Sequence, residues 1–375
     1  MSIRVFDLKF SEAEENEFAQ GSINILREGF LTNHTQTRLF ENTFAKRQQT
    51  KHALAVSSGT AALEIAFRAI NVKDRYVIVP TNTFIATGAA IVNAGGIPYI
   101  IDIEPTGLGI SPDQLNLALE KLTPNKIAAI AVVHIGGHIA PSFQSILSKA
   151  RMNDIPVVED CAQATFASLD NELAGNHGDI SCFSFFTTKT MTTGEGGMVV
   201  TNNPDLYQRS LQIRRFGMSL EDPTVHTMGG SNFKMTEFSA LLGLIELKRV
   251  DSRIERRRHL ARIYQEQLNP TFFKCFGDIG SSYSTHYKQI VLLNKGGQRD
   301  QLEQYLSSFG IPFTGGVYNT PLHKQPAMNQ FVSSSQDFGV SDFFSANHFC
   351  PPCYPELLDQ QVLSICGKIN DWNPA

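Results

Sequence analysis

The chain has 375 residues, enough for one large domain and a smaller one, each with its own core. With 42% hydrophobic and 18% charged residues it has the composition of an ordinary soluble globular protein. A net charge of −4 offers no basic face, so neither nucleic acid nor an anionic membrane is an expected partner. The opening stretch, from Met1 to Glu15, lacks an apolar core of signal-peptide length. The most apolar run, Phe84 to Ile101, is broken by Gly88, Gly95, Gly96 and Pro98, which argues against a membrane span. Six cysteines in a chain this long fit a reducing compartment, and a cytoplasmic location is expected.

In chain order, Ser57 to Asn71 reads as a helix whose first turn is Ser-Gly-Thr. Tyr76–Pro80 is a short β-branched run and reads as a strand. A helix from Phe84 to Ala94 and a strand from Ile97 to Asp102 follow. Ser111-Pro-Asp opens another helix with a capping residue and a proline in its first turn. Ile127 to His134 is continuously apolar, as a strand buried on both faces must be. A helix from about Ser142 leads to strands at Pro156–Glu159, Ile180–Phe186 and Met198–Thr201. This alternation predicts an α/β fold with a mixed, mostly parallel sheet sandwiched by helices. One long helical pattern, from about Lys234 to Leu268, leads into a smaller C-terminal α+β domain. The expected division is residues 1–245, binding a cofactor, and residues 246–375.

Four features fall at strand ends or helix starts, where ligands gather in such sheets. Ser57-Ser-Gly-Thr60 places free N–H groups and a positive dipole end at a helix start; it is an anion site or a plain N-cap. Asp160 ends a buried strand, so its carboxylate must be paired, solvated or used, with a helix cap or a structural ion pair as the plain alternative. Gln163 follows one turn later. Lys189 sits between Ser184 and the glycines Gly194, Gly196 and Gly197, which permit close backbone approach to a ligand; alone, it reads as an exposed loop lysine. Gly229 to Glu237 is a loop entering the long helix. A fifth candidate, Cys350-Pro-Pro-Cys353, lacks the second pair that a zinc site needs, and its prolines disfavour a redox helix. No metal is expected, and the pair reads as two thiols in a loop.

Taken together, the first three features fit one chemistry. A lysine amine forms an imine with a cofactor aldehyde. Pyridoxal 5'-phosphate needs that amine, an anion cradle and a carboxylate at its pyridine nitrogen. Such a carboxylate, about 4 Å from the nitrogen at an effective dielectric near 20, contributes roughly 4 kcal/mol, or about three pKa units, toward keeping the nitrogen protonated.

The sequence resembles the sugar-nucleotide aminotransferases of the DegT/DnrJ group, within the fold-type I pyridoxal-phosphate enzymes. The motifs that carry the likeness include Ser58-Gly-Thr-Ala-Ala-Leu63, Pro80-Thr-Asn-Thr-Phe-Ile-Ala-Thr87, Val158-Glu-Asp-Cys-Ala-Gln163, Ser184-Phe-Phe-Thr-Thr-Lys189, Gly194-Glu-Gly-Gly197, Asn232-Phe-Lys-Met-Thr-Glu237 and Pro321-Leu-His-Lys-Gln325. The resemblance implies that Lys189 is the Schiff-base lysine and proton shuttle and that Asp160 pairs with the pyridine nitrogen. By the same likeness, Gln163 bonds the ring hydroxyl and Phe84 lies on the ring face. Ser184, Gly59 and Thr60 would hold the phosphate. Asn232 would reach the phosphate in a neighbouring subunit, which implies a homodimer, and His323 would lie near the sugar.

The chain departs from the family where Phe186-Thr187 replaces Tyr-Pro and where Lys234 replaces an arginine. It also differs in the loop His134-Ile-Gly-Gly-His138. An ammonium does not reproduce an arginine fork, so the contacts at Lys234 differ from the family's. The resemblance implies transfer of an amino group, with L-glutamate as donor, to a nucleotide-linked keto-deoxysugar for surface polysaccharide or a glycosylated metabolite. A keto sugar without a nucleotide, such as an octulosonate, stays open, as does a non-catalytic sensor on the same fold. Histidine stands in the lysine position in a dehydrating branch of the family; Lys189 argues against that branch.

Overall fold

Ser11 opens α1 (Glu12–Glu28) with a reciprocal capping box to Glu14, and Gly29 closes it in the left-handed region. α2 (Thr35–Gln48) starts without a cap from its own N-cap residue, His34. Its first N–H groups are met from far along the chain: the Glu237 carboxylate accepts from the backbone of His34, Gln36 and Thr37. These coordinates are a computed structural model that describes residues 3–313, 316–334 and 336–372; the outer ends of the two expected domains, 1–2 and 373–375, lie outside it.

The alternating region folds as its pattern predicts. Its elements are β1 (His52–Val56), α3 (Gly59–Ile70), β2 (Tyr76–Pro80), α4 (Ile85–Asn93), β3 (Ile97–Ile101), α5 (Pro112–Lys121), β4 (Ile127–Val133), α6 (Phe143–Met152), β5 (Val157–Asp160), β6 (Ser168–Leu169), β7 (Glu172–Leu173), β8 (Ile180–Ser184), β9 (Gly197–Thr201) and α7 (Pro204–Arg214). Seven of the strands form one sheet in the order β1-β9-β8-β5-β4-β2-β3. β3, β2, β4, β5 and β8 run parallel, while β9 lies antiparallel to both β8 and β1.

β4 shows how the sheet is held. All seven of its residues are buried. Ile130 and Val132 join the apolar cluster on one face, with Phe143 of α6; Ala129 and Ala131 join the cluster on the other, with Phe67 of α3. This period of two is what alternating Cβ directions require, and the alanines let helices lie close on their side.

α8 (Glu237–Gln267) then runs for 31 residues, about 46 Å at 1.5 Å per residue. Its Ala240, Val250 and Ile254 pack into the core of the large sheet, and its Leu260 and Tyr264 into a second core. The domain boundary expected at residue 245 therefore falls inside a helix that serves both cores. The second core is built on β10 (Phe273–Cys275), β12 (Val291–Leu293), α9 (Arg299–Ser308), β13 (His348–Phe349) and α11 (Asp359–Asp371), while β11 (Ser282–Tyr283) and α10 (Gly339–Asn347) pack on other apolar clusters. β10, β12 and β13 form an antiparallel sheet, and β11 pairs with β6 of the large domain. Among the described residues no helix is long and apolar enough to cross a membrane.

Cys350 and Cys353 lie in a loop, as expected, but are buried there instead of half-buried, and burial pushes them up to about 12 and about 11.

Candidate active site

The carboxyl ends of β5 and β8 and the start of α3 converge on a cavity of about 510 Å³. Gly59, Thr60, Phe84, Asp160, Gln163, Ser184 and Lys189 all line it. A larger hollow, about 610 Å³, lies near Gln265 and Asn294 and touches none of the candidate residues.

The helix start is built for close approach. Ser58 caps α3, its Oγ accepting from the Ala61 N–H at 3.1 Å. A Cβ on Gly59 would lie 2.7 Å from the Ser184 Cβ and 3.0 Å from its Oγ, so only glycine lets α3 begin against the end of β8. The N–H groups of Gly59 and Thr60 find no acceptor within the helix and emerge there beside two hydroxyls, those of Thr60 and Ser184. The glycine motif further along serves the same packing. A Cβ on Gly197 would meet the Ser58 carbonyl oxygen at 2.4 Å. Gly197 therefore approaches protein backbone and not a ligand, and Glu195 is the member of that motif that lines the cavity.

Asp160 is 5% exposed. Its Oδ2 accepts from the Thr87 Oγ1 at 2.8 Å, and its Oδ1 from the Ala162 N–H at 3.1 Å. Thr87 is in turn hydrogen-bonded to Thr83, 2.8 Å between hydroxyl oxygens. Burial holds the Asp160 carboxyl above its ordinary range, against the lowering effect of Thr87, Ala162 and the Lys189 charge. No described cation is within ion-pair distance of it. The preceding residue points the other way. Glu159 accepts from the N–H groups of Gly175, His177 and Gly178 and bonds His134 Nε2 at 2.8 Å. Despite burial, those partners hold it below its ordinary range, so the neighbouring carboxylate is a structural anion. Glu159, His134 and Cys161 lie close enough to bracket an ion, but the glutamate is already saturated by N–H donors.

Gln163 is fixed at both ends of its amide: Oε1 accepts from the Gly136 N–H at 2.7 Å and Nε2 donates to the Tyr318 hydroxyl at 2.6 Å. Phe84 is 61% exposed at the N-cap of α4, which rules out core packing as its role. Lys189 stands on a turn closed by its own N–H to the Phe186 carbonyl, 2.9 Å. The expected strand stops at Ser184, which frees Phe186 to line the cavity.

Two expected residues lie elsewhere. Asn232 is exposed, outside the cavity lining, and accepts from Lys234 Nζ at 2.6 Å. His323 is also absent from the lining. Its ring is held between Thr81 Oγ1 at 2.5 Å and Asp342 at 3.1 Å and stacks on Phe338. Sequence reasoning missed Thr87, Tyr287, Lys288 and Tyr318. Thr87 lay inside a quoted motif without a role. The other three come from loops beyond α8, where no periodicity marks a strand end.

Comparison with known proteins gives a consistent result. Residues 12–370 match the model of the DegT/DnrJ/EryC1/StrS aminotransferase family. The chain is 33% identical over 334 residues to the GDP-perosamine synthase of Escherichia coli O157:H7, with 89% of each chain covered. It is 30% identical over 364 residues to the spore coat polysaccharide biosynthesis protein SpsC of Bacillus subtilis, covering 92% of each. Among solved structures, DesV of S. venezuelae, in complex with a ketimine intermediate, superposes with a TM-score of 0.88 at 26% identity, covering 96% of this chain and 95% of that one. A DegT DnrJ EryC1 StrS aminotransferase from Brucella abortus shares the fold with a TM-score of 0.89 at 24% identity, covering 97% and 98%.

Proposed function

The chain belongs to the DegT/DnrJ/EryC1/StrS aminotransferase family, and from that premise we propose that it transfers an amino group from L-glutamate to a nucleotide-linked keto-deoxysugar, using pyridoxal phosphate held in this cavity. The observation that carries the reading is the convergence of Lys189, Asp160, Gln163 and the Gly59–Thr60 helix start on one cavity.

The donor set fits the cofactor. A buried carboxylate without a cationic partner gains most from a cation, and a protonated ring nitrogen supplies one. The helix start with Thr60 and Ser184 suits a phosphate dianion, and the exposed Phe84 ring offers a flat apolar face. Bound there, pyridoxal phosphate supplies an aldehyde that takes up the donor nitrogen and a ring that accepts the electrons of the breaking α C–H bond.

The residues of the chain do the rest. Lys189 Nζ takes the proton from the donor α-carbon as general base and delivers it as general acid. Asp160, oriented by Thr87, holds the positive charge at the ring nitrogen. Gln163, fixed by Gly136 and Tyr318, presents its amide edge to the ring substituents. Lys288, in the cavity wall and without an ion-pair partner among the described residues, offers a charge to an anionic group of the substrate.

The name of one relative, a GDP-perosamine synthase, supports a nucleotide-linked sugar over a free one, and that of a spore coat polysaccharide biosynthesis protein supports a role in polysaccharide synthesis. The exposed Asn232 lies beside exposed apolar side chains, Phe216, Val225 and Met228, in the stretch leading to α8. That setting supports a homodimer in which Asn232 serves the partner's site.

The test is direct. The purified protein, loaded with pyridoxal phosphate, should release 2-oxoglutarate from L-glutamate and aminate a keto-deoxysugar linked to a nucleoside diphosphate. Borohydride should fix the cofactor on the peptide that contains Lys189. Normal turnover by Lys189→Ala would sink the reading.

A further inference from the structure

Tyr287 lines the cavity beside the residues that would hold the cofactor. It comes from the loop between β11 and β12, yet it reaches the cavity wall at the lysine. Lys189 Nζ lies over its ring, 4.8 Å from the centroid. Its hydroxyl bonds the Thr188 hydroxyl at 3.1 Å, so the ring is tied to the residue next to the lysine.

The ring is held without help from Lys189. The Tyr287 carbonyl accepts from Arg257 Nη1 at 3.2 Å. Arg257 is fully buried in α8 and also donates to the Cys353 carbonyl. On either side, the N–H groups of Thr285 and Lys288 donate to the carbonyls of Gly137 and Gly136, each at 3.1 Å. Gly136 donates in turn to Gln163. A short segment of the C-terminal unit is thus pinned to the loop that orients a cofactor-facing amide.

We infer that Tyr287 is a positioning residue for Lys189: its ring face is the seat on which the charged amine rests between proton transfers. The inference rests on the reading of Lys189 given above. A lysine stem has four rotatable bonds, and a solvated amine samples many positions. The negative face of an aromatic ring selects the ammonium form and one position for it. The amine becomes an ammonium each time Lys189 accepts a proton, so the seat is filled at the moment when misplacement would be most harmful. The phenol feels the same charges. Burial alone would raise it, but Lys189, Lys288 and the Thr188 hydroxyl bring it below its ordinary value. Packing alone would account for a buried tyrosine here, but it would not depend on the electron density of the ring.

That dependence is the test. Tyr287→Phe keeps the ring, and phenylalanines carrying one to five fluorines can be placed at 287 by codon suppression, withdrawing π density at nearly constant shape. In the cofactor-free protein, the rate at which a small acylating reagent modifies Lys189, read by peptide mass spectrometry at fixed pH, should rise with each fluorine. A cation–π contribution of about 0.5–2 kcal/mol corresponds to about a 2- to 30-fold span across the series. In the loaded enzyme, single-turnover rates with L-glutamate should fall in the same order while the donor KM holds. Acylation rates that stay level across the series overturn the inference, and if the wild-type protein still transaminates, the proposed function stands without it. Should the most fluorinated protein fail to fold, the singly and doubly fluorinated members report the same trend.

Discussion

Gly59→Ala isolates the anion cradle. Gly59 does not have a positive φ, so alanine can adopt its backbone, and alanine favours the helix by about 1 kcal/mol. The obstacle is steric. The new methyl would stand 2.7 Å from the Ser184 Cβ, 3.0 Å from its Oγ and 3.2 Å from its Cα. Carbon atoms rest at about 3.5–4.0 Å. Ser184 ends β8, which is bonded to β5 on one side and β9 on the other, and cannot yield. The start of α3 must therefore retreat by most of an ångström, carrying its N–H groups away from the Ser184 hydroxyl. Overpacking of this kind costs about 1–3 kcal/mol. Expressed at the cradle, that is a loss of about 5- to 150-fold in phosphate-dependent affinity. The assay is a titration of the cofactor-free protein with pyridoxal phosphate and, in parallel, with pyridoxal. Affinity for the first should fall and for the second should hold. Equal losses for both, or no loss for the phosphate ester, would refute the assignment of Gly59.

Three further outcomes are expected. Thr87→Val keeps the shape but removes the donor to Asp160 Oδ2; a hydrogen bond to a charged group contributes about 1.5–3 kcal/mol, so kcat should fall about 10- to 150-fold with KM unchanged, measured by stopped-flow with L-glutamate. Glu237→Gln removes the charge that gathers three N–H groups at the start of α2 and should lower stability to urea by on the order of 2–3 kcal/mol, while Glu237→Asp should restore part of it. His138 is dragged by burial from 6.5 to about 4, so between those values the unfolded chain binds a proton that the native protein refuses. Stability should thus be full above pH 6.5 and fall as the pH drops toward 4. Melting curves of His138→Gln should show a shallower acid limb than wild type, with His286, pushed well below its ordinary value by burial, and His348, also held at about 4, contributing to what remains.

The α/β half was legible because its signals are local. Buried parallel strands read as apolar runs such as Ile127–Val133, and helix starts carry their own caps, as at Ser58 and Ser111. The candidate residues Gly59, Asp160, Ser184 and Lys189 stand at such strand ends and helix starts or just beyond them, and the family motifs span them. The helix α2 had no such signal, since the group that satisfies its first turn is Glu237, which the fold alone brings near. Tyr287 and Tyr318 reach the cavity from loops pinned by Arg257 and Gln163, contacts that no periodicity encodes. The glycines after Lys189 were expected to admit tight turns and a ligand; Gly194 supplies a positive φ in open space, and what comes close to Gly197 is the Ser58 carbonyl. His323 was expected beside the sugar; Thr81, Asp342 and Phe338 already claim both edges and one face of its ring.

The long rod of α8 also restricts how the molecule can move. It carries no proline or internal break along its 31 residues, and its two halves are each sunk in a different core. A swing of one core away from the other would have to snap that rod mid-span, at the expense of several backbone bonds. Separation of the two cores therefore costs backbone hydrogen bonds in α8, and the loops and side chains around the cavity are the cheaper parts to move.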